Sequence, residues 1–318
     1  MEFTSINLSL IDFEDETFLV GNKDNISSLQ SSIEEIGILN PPILRDRGGC
    51  YQIVNGWKRF VSCRELGYKE VLCKVYSSSE LSDTACIKII YTENKDRLSD
   101  IELSELILLY KQSCSSSDKD LINKILPLFG IPPSRKHLDK FLALASLEKE
   151  IKNTFYKGEI TIEQCQMISE ISKSNQLPVL KNLLLKYNLN NNESRQVIQI
   201  VEEIALRDLK SIDKVIFEAE SVIENENKSK IELRRELRKI RYPELSKVEE
   251  DYKKALDDLK IPKQINLFIN QFFEGNDLEL RIKIKSPEEL SLILSYLENS
   301  VDNGSIEKLL DIINKGHE

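Results

Sequence analysis

Residues 41–75 read PPILRDRGGCYQIVNGWKRFVSCRELGYKEVLCKV, and the pattern of this stretch decides the fold. Ile43-Leu44 and Tyr51-Gln52-Ile53-Val54 are short β-prone runs, and Arg47-Gly48-Gly49-Cys50 between them supplies turn residues. Asn55-Gly56 ends the second run and opens a helix over residues 57–66. Gly67 stands where a left-handed cap closes that helix. Residues 71–75 form a return strand, so the stretch reads strand, tight turn, strand, helix, strand. Its chemistry is concentrated at the helix opening, Asn55-Gly56-Trp57-Lys58-Arg59. A glycine lets the backbone approach a ligand, the first helical N–H groups lack carbonyl partners and attract anions, and Lys58 and Arg59 add two cations. These are the ingredients of a polyphosphate cradle. The alternative is a strand–helix turn with two solvated basic side chains.

Upstream, residues 1–24 alternate weakly, and Phe3, Ile6, Leu8, Leu10 and Ile11 predict one edge strand. Asn25 is a good N-cap for a helix carrying Ile26, Leu29, Ile33 and Ile36. Downstream, residues 79–94 predict a helix with Glu93 and Asn94 at its end and Arg97 just beyond. Glu93 and Arg97 are four apart, the spacing of a surface ion pair. Ser99-x-x-Glu102 is a capping box for the next helix. A helix over 121–129, the turn Gly130-Ile131-Pro132-Pro133 and a helix over 134–145 then give a helix-turn-helix pattern. Its second helix carries Ser134, Arg135, Lys136, His137 and Lys140 towards the N-terminal end, where recognition helices meet the major groove. Thr161-x-x-Gln164 is another capping box, and helices are expected at 147–156, 162–171, 176–187, 194–209 and 212–224.

Residues 225–229 read as a linker. A basic helix follows with Lys228, Lys230, Arg234, Arg235, Arg238, Lys239 and Arg241. It is either a solvated face interleaved with Glu232 and Glu236 or a second phosphate-contacting surface. Pro243 starts a helix with a coiled-coil-like seam of Leu245, Val248, Tyr252, Leu256 and Leu259. Strands at 264–273 and 278–285 flank Glu274-Gly275-Asn276-Asp277, a hairpin signal. Leu278, Leu280, Ile282 and Ile284 alternate with charged residues, predicting one buried face. A helix opens at 286–289. One hairpin and one helix bury too little surface to stand alone, so a second copy of the chain is expected to complete this core.

The chain has 318 residues, enough for two or three domains. Its 53 acidic against 44 basic residues give a net charge of −9, which excludes non-specific coating of nucleic acid by the whole surface. A local basic patch remains open. Six cysteines without C-x-x-C spacing and two histidines argue against a Cys/His zinc site. Scattered cysteines fit a reducing compartment. No secretory leader is evident, and no apolar run approaches the ~20 residues of a membrane span. A soluble cytoplasmic protein with no membrane partner is the expectation.

Three features together resemble the ParB family of chromosome- and plasmid-partition proteins. Gly37-Ile38-Leu39-Asn40-Pro41-Pro42-Ile43 is similar to the family's Gly-x-x-Gln-Pro-Ile run, Gly56-Trp57-Lys58-Arg59 to its Gly-Glu-Arg-Arg, and Glu93-Asn94-Lys95-Asp96-Arg97 to its Glu-Asn-x-x-Arg. They occur in family order at family-like spacing. The helix-turn-helix pattern follows at the family's position, and the Gly158-Glu159-Ile160-Thr161 turn resembles the segment after its recognition helix. The resemblance implies an α+β chain. A ParB/sulfiredoxin-like nucleotide-binding domain spans 1–98, an all-α helix-turn-helix DNA-binding domain 99–224, a basic helical linker 225–261 and a C-terminal ββα dimerisation domain 262–318.

It also implies a function: a CTP-responsive clamp that binds double-stranded DNA sequence-specifically, as a nucleoid-associated homodimer acting in DNA partition or related regulation, alongside a partition ATPase. Asn40, Gly56, Lys58, Arg59, Asn94 and Arg97 would bind the nucleotide. Glu93, the one catalytic candidate, would hold Mg2+ or its water with Asn94, so at most a slow CTPase is expected. Ser134, Arg135, Lys136 and Lys140 would contact DNA. Two positions depart from the family: Trp57 replaces Glu and Asn40 replaces Gln, which bears on hydrolysis and base choice more than on phosphate binding. The same scaffold resembles sulfiredoxin and some free-serine kinases. Sulfiredoxin needs a cysteine in the phosphate turn, which is missing here, and a nuclease needs clustered carboxylates. A kinase, or a dimeric scaffold that binds no nucleotide, remains as an alternative.

Overall fold

The structure, a computed structural model, describes residues 2–22, 26–114, 116–223, 229–268 and 277–315. The chain divides into two compact units, residues 1–185 and 186–318. The first is built on a five-stranded sheet: β1 (Glu2–Asn7), β2 (Ile11–Asp12), β3 (Ile43–Asp46), β4 (Tyr51–Asn55) and β5 (Glu70–Ser77), in the order β1-β5-β3-β4-β2. β1 runs antiparallel to β5, β3 parallel to β5 and antiparallel to β4, and β2 parallel to β4.

The single N-terminal strand expected from the alternation of residues 3–11 is in fact two. A 3-10 turn at Leu8–Leu10, capped by Asn7, breaks it. β1 and β2 then lie on opposite edges of the sheet. The turn buries Leu8 beside Ile6 and Ile11, a packing choice that periodicity alone does not encode. The helix start expected at Asn25 lies outside the described residues.

Helices α1 (Ser27–Ile36), α2 (Trp57–Glu65), α3 (Asp83–Asn94) and α4 (Asp100–Cys114) cover the sheet on both faces. Ile33, Phe60, Val61 and Cys63 pack with Leu44, Ile53, Val71 and Cys73 on one face. On the other, Ile43 and Val54 meet Ile87, Ile90, Leu106 and Ile107. Neighbours 43/44 and 53/54 thus serve opposite cores, as strand geometry requires, and burial on both faces explains their uninterrupted apolar runs.

The second of these cores continues into the helices that follow, α5 (Asp118–Asp120), a π-helical turn Leu121–Ile125, α6 (Leu126–Leu128) and α7 (Arg135–Ala145). Leu121, Leu126, Leu138 and Phe141 pack in the same cluster as Ile87 and Leu106, so the first unit runs through residue 98 without a break. It is completed by α8 (Lys149–Tyr156), α9 (Ile162–Glu170), α10 (Lys173–Val179) and a π-helical segment Leu180–Leu185. The capping boxes at Ser99/Glu102 and Thr161/Gln164 both form.

The second unit contains α11 (Asn191–Asp208), α12 (Ile212–Ser221), α13 (Lys230–Arg241) and α14 (Pro243–Leu259). The antiparallel pair β6 (Ile265–Phe268) and β7 (Glu279–Ile282) follows, then α15 (Pro287–Asp302) and α16 (Ser305–Lys315). The hairpin turn read at 274–277 and the linker at 225–229 fall mostly outside the described residues. α16 has no counterpart in the sequence reading; its Leu309 and Ile313 are buried. The alternating face of β7 is not buried in the single chain: Leu280, Ile282 and Ile284 are exposed. No helix among the described residues is long and apolar enough to cross a membrane.

Candidate functional site

Gly56 sets the geometry of the first site. It caps α2 with φ +100°, a backbone conformation natural to glycine and costly for other residues. A Cβ there would stand 2.6 Å from Cβ of Pro42 and 3.1 Å from the Arg59 guanidinium. Pro42 is itself held, since its carbonyl accepts from Lys74 N–H at 2.9 Å. The Gly37–Ile43 run and the Gly56–Arg59 turn therefore touch through a contact only glycine permits. The first intrahelical bond of α2 is Phe60 N–H to the Gly56 carbonyl, so the backbone N–H groups of Lys58 and Arg59 precede the first i→i−4 bond of the helix.

Arg59 lies against this turn and donates from Nη1 to the Asn40 carbonyl. Burial lowers its pKa from the ordinary value, and the nearby Glu93 carboxylate and Cys73 work the other way. Asn94 Nδ2 donates to the Ile90 carbonyl at 2.8 Å and to Asn55 Oδ1 at 3.4 Å, tying the end of α3 to the end of β4. Arg59 thus joins the Gly56 turn to the Asn40 carbonyl within reach of the Glu93 charge, while Asn94 meets Asn55 next to Gly56. Lys58 is exposed on the outer side of α2. Arg97 is also exposed; its backbone N–H folds back on the Asn94 carbonyl. The i,i+4 pair of Glu93 with Arg97 does not form among the described residues, because α3 stops at Asn94 and the two positions no longer stack.

Trp57 belongs to the core rather than the opening. Its indole packs edge-on against Phe13, ring centroids 6.3 Å apart, within the cluster of Leu44, Ile53 and Phe60. Trp57 therefore offers no polar group to the Gly56 turn.

Sequence reading placed Pro42 and Asn55 in the motifs but missed the contacts they make, and missed a buried polar strut beside them. Arg45 donates to Gln52 Oε1 (2.9 and 2.6 Å), to the Leu81 carbonyl (3.0 Å) and to Asp83 Oδ1 (2.7 Å). Gln52 Nε2 in turn donates to Asp15 Oδ2 at 2.7 Å. The strut links β3 and β4 to the first turn of α3, the helix that carries Glu93 and Asn94. The one available signal was the pair of polar residues, Arg45 and Gln52, facing each other across two otherwise apolar strands.

The second candidate surface is α7. Ser134 is spent on the helix cap: its Oγ accepts from His137 N–H and lies 2.7 Å from His137 Nδ1. Arg135 is held by Asp118 and Asp139, and Lys140 by Asp100. Lys136 is exposed and makes no ion pair with another described residue.

The third is the basic helix α13, and here each strongly basic residue has a partner. Lys230 pairs with Glu193, Arg235 and Lys239 with Glu236, Arg238 with Glu249, and Arg241 with Glu203, while Arg234 donates to Gln196. The cations of α13 face carboxylates of its own turns, of α11 and of α14.

As to metal, no cluster of three or more His, Cys, Asp or Glu side chains suited to an ion occurs among the described residues. Glu93 and the Asn94 side-chain oxygen fit Mg2+ only in the form that cation prefers with nucleotides, where one or two protein oxygens supplement phosphates and water.

Residues 4–95 match the ParB N-terminal domain. The chain is 24% identical over 220 residues to stage 0 sporulation protein J of Bacillus subtilis, covering 67% of this chain and 75% of that protein. To the probable chromosome-partitioning protein ParB of Chlamydia trachomatis it is 24% identical over 184 residues, covering 54% of this chain and 60% of the relative. Among solved structures, Caulobacter crescentus ParB truncated at its C-terminus and complexed with CTP-gamma-S is 22% identical, covering 57% of this chain and 100% of that one with a TM-score of 0.26. The same protein complexed to the centromeric parS site is 21% identical, covering 60% and 96% with a TM-score of 0.33. Superpositions this loose fix no residue or ligand position in the present chain.

Proposed function

We propose that this chain, whose residues 4–95 match the ParB N-terminal domain, is a ParB-like, nucleotide-responsive, sequence-specific DNA-binding protein of DNA partition or related regulation. The observation that carries the reading is the convergence of Asn40, Gly56, Arg59, Glu93 and Asn94 on one helix N-terminus. A helix N-terminus and a cation at such a site suit a triphosphate. Lys58 and Arg97, exposed at its margins, would swing in to meet the outer phosphates. CTP is the nucleotide proposed, on the family resemblance. Mg2+ would arrive with it, held by Glu93 and Asn94. With Trp57 buried in the core, hydrolysis is slow or absent, and Glu93→Gln should reduce any Mg2+-dependent turnover more than binding.

DNA would be met by α7 through Arg135, Lys136 and Lys140, with α5, α6 and the Gly130–Pro133 turn completing a helix-turn-helix. The C-terminal segment would join two copies. Leu292 is 73% exposed on α15, and Leu280, Ile282 and Ile284 are open on and beside β7, an apolar surface that a monomer leaves wet. Such a dimer would act at the nucleoid with a partition ATPase.

The experiment is selection of genomic fragments by the full chain at low salt, with and without CTP. Enrichment of a defined site is expected; enrichment of none would contradict the DNA reading. Light scattering of a chain ending at residue 261 should give a monomer, and a persisting dimer would move the interface elsewhere. The alternative of a kinase on the same scaffold is favoured by no particular observation.

A further inference from the structure

The cations on α7 are not free in the isolated chain. Arg135 Nη1 donates to Asp118 Oδ2 at 2.7 Å, and its Nε pairs with Asp139 Oδ1 at 2.9 Å. The other oxygen of Asp118 accepts from Lys111 Nζ at 2.8 Å. Further along α7, Lys140 meets Asp100 Oδ2 at 3.2 Å, an oxygen that Gln166 Nε2 also approaches at 3.4 Å. Carboxylates from α4, α5 and α7 itself therefore stand beside the two best-placed cations of the helix. These are surface pairs, since the Arg135 side chain is 63% exposed.

Exposed ion pairs contribute little to folding, so stability does not explain why α7 carries them. Their consequence falls on an approaching polyanion. A phosphate pulls on a guanidinium without regard to sequence, and here it must do so against the charges of Asp118 and Asp139. A guanine edge, by contrast, presents two acceptors in the guanidinium plane and rewards one geometry only. The contacts to Asp118 and Asp139 use Nη1 and Nε of Arg135 and leave Nη2 out, so a base edge can begin to engage Nη2 before both carboxylates are displaced. Hydrogen bonding to Lys111 first of all holds the Asp118 carboxyl below its ordinary pKa, and it stays charged at neutral pH.

We propose that Asp118 and Asp139 act as a specificity filter on Arg135, holding its guanidinium against phosphates of any sequence and yielding it where a base edge offers two acceptors. Asp100 does the same for Lys140. The filter rests on α7 being the DNA-contacting helix. It is a role for acidic residues, which a search for basic patches passes over.

The test uses the full chain and two duplexes, one carrying the selected site and one of unrelated sequence, with binding followed by fluorescence anisotropy at several salt concentrations. Asp118→Asn keeps the side-chain shape and removes the charge. Asp139→Asn removes the second carboxylate without touching Lys111 or α5. Each variant should bind the unrelated duplex about fivefold more tightly and the selected duplex less than about twofold more tightly, so that discrimination falls. The log–log salt slope for the unrelated duplex should steepen by about one. Equal tightening on both duplexes, or no tightening on the unrelated one in variants whose thermal melts match the wild type, would overturn the filter. A wild type that prefers neither duplex at low salt would instead fail the DNA reading itself, before either variant is measured.

Discussion

Two basic regions of this chain look alike in composition and differ in what surrounds their charges. The α2 opening offers Lys58 and Arg59; α13 offers Lys230, Arg234, Arg235, Arg238, Lys239 and Arg241. By count α13 is the stronger candidate for an anion. Yet its cations are matched by Glu193, Glu203, Glu236 and Glu249 within the same unit. At α2 the backbone supplies what the charges lack: a glycine at positive φ against Pro42, a helix N-terminus, and an arginine resting on a carbonyl rather than in an ion pair. Availability, not number, separates a ligand site from a structural seam.

Four outcomes would break or sharpen this contrast, in falling order of effect. Gly56→Ala should be the most damaging, because it forces an L-residue to φ +100° and a Cβ to within 2.6 Å of Pro42. Strain and overpacking together should cost about 2–4 kcal/mol in urea unfolding, with loss of nucleotide binding. A variant as stable as wild type would show that the turn is not fixed as described. Next, Arg59→Ala should weaken triphosphate binding at least tenfold, since a charge-assisted bond to phosphate is worth about 1.5–3 kcal/mol. Unchanged affinity would reduce Arg59 to a tether for Asn40.

In α13 the effects should appear in stability instead. Glu236, 7% exposed at its side chain, joins Arg235 and Lys239, and Glu236→Gln should cost about 1 kcal/mol by chemical denaturation. Smallest of all, replacing Lys230, Arg234 and Arg238 together with Gln should leave affinity for the selected DNA site within about twofold and its salt slope unchanged. A shallower slope would restore α13 as a phosphate-contacting surface.

Much of the turn around Gly56 was legible because it is local. Strand, turn, strand, helix and strand follow from residues 41–75 alone, and Gly56 marks the approach from sequence. Capping boxes at Ser99/Glu102 and Thr161/Gln164 are equally local and form as read. What stayed hidden depends on distant partners. The split of the N-terminal strand onto two sheet edges is decided by the burial of Leu8. The Arg45 strut needs Asp83 from 38 residues away. The pairing of α13 needs α11, whose glutamates carry no periodic sign of where they will point. Trp57 illustrates the limit from the other side: its departure from the family's glutamate was visible, but its packing against Phe13 was not.

Calorimetric titration of the wild-type chain with CTP, ATP, GTP and UTP in Mg2+ puts the α2 opening to its most direct test. Saturable heat with CTP, weaker or missing with the other three, is the expected result. No heat with any of the four at millimolar nucleotide would contradict it, leaving Lys58 and Arg59 as ordinary surface charges on a dimeric DNA-binding scaffold.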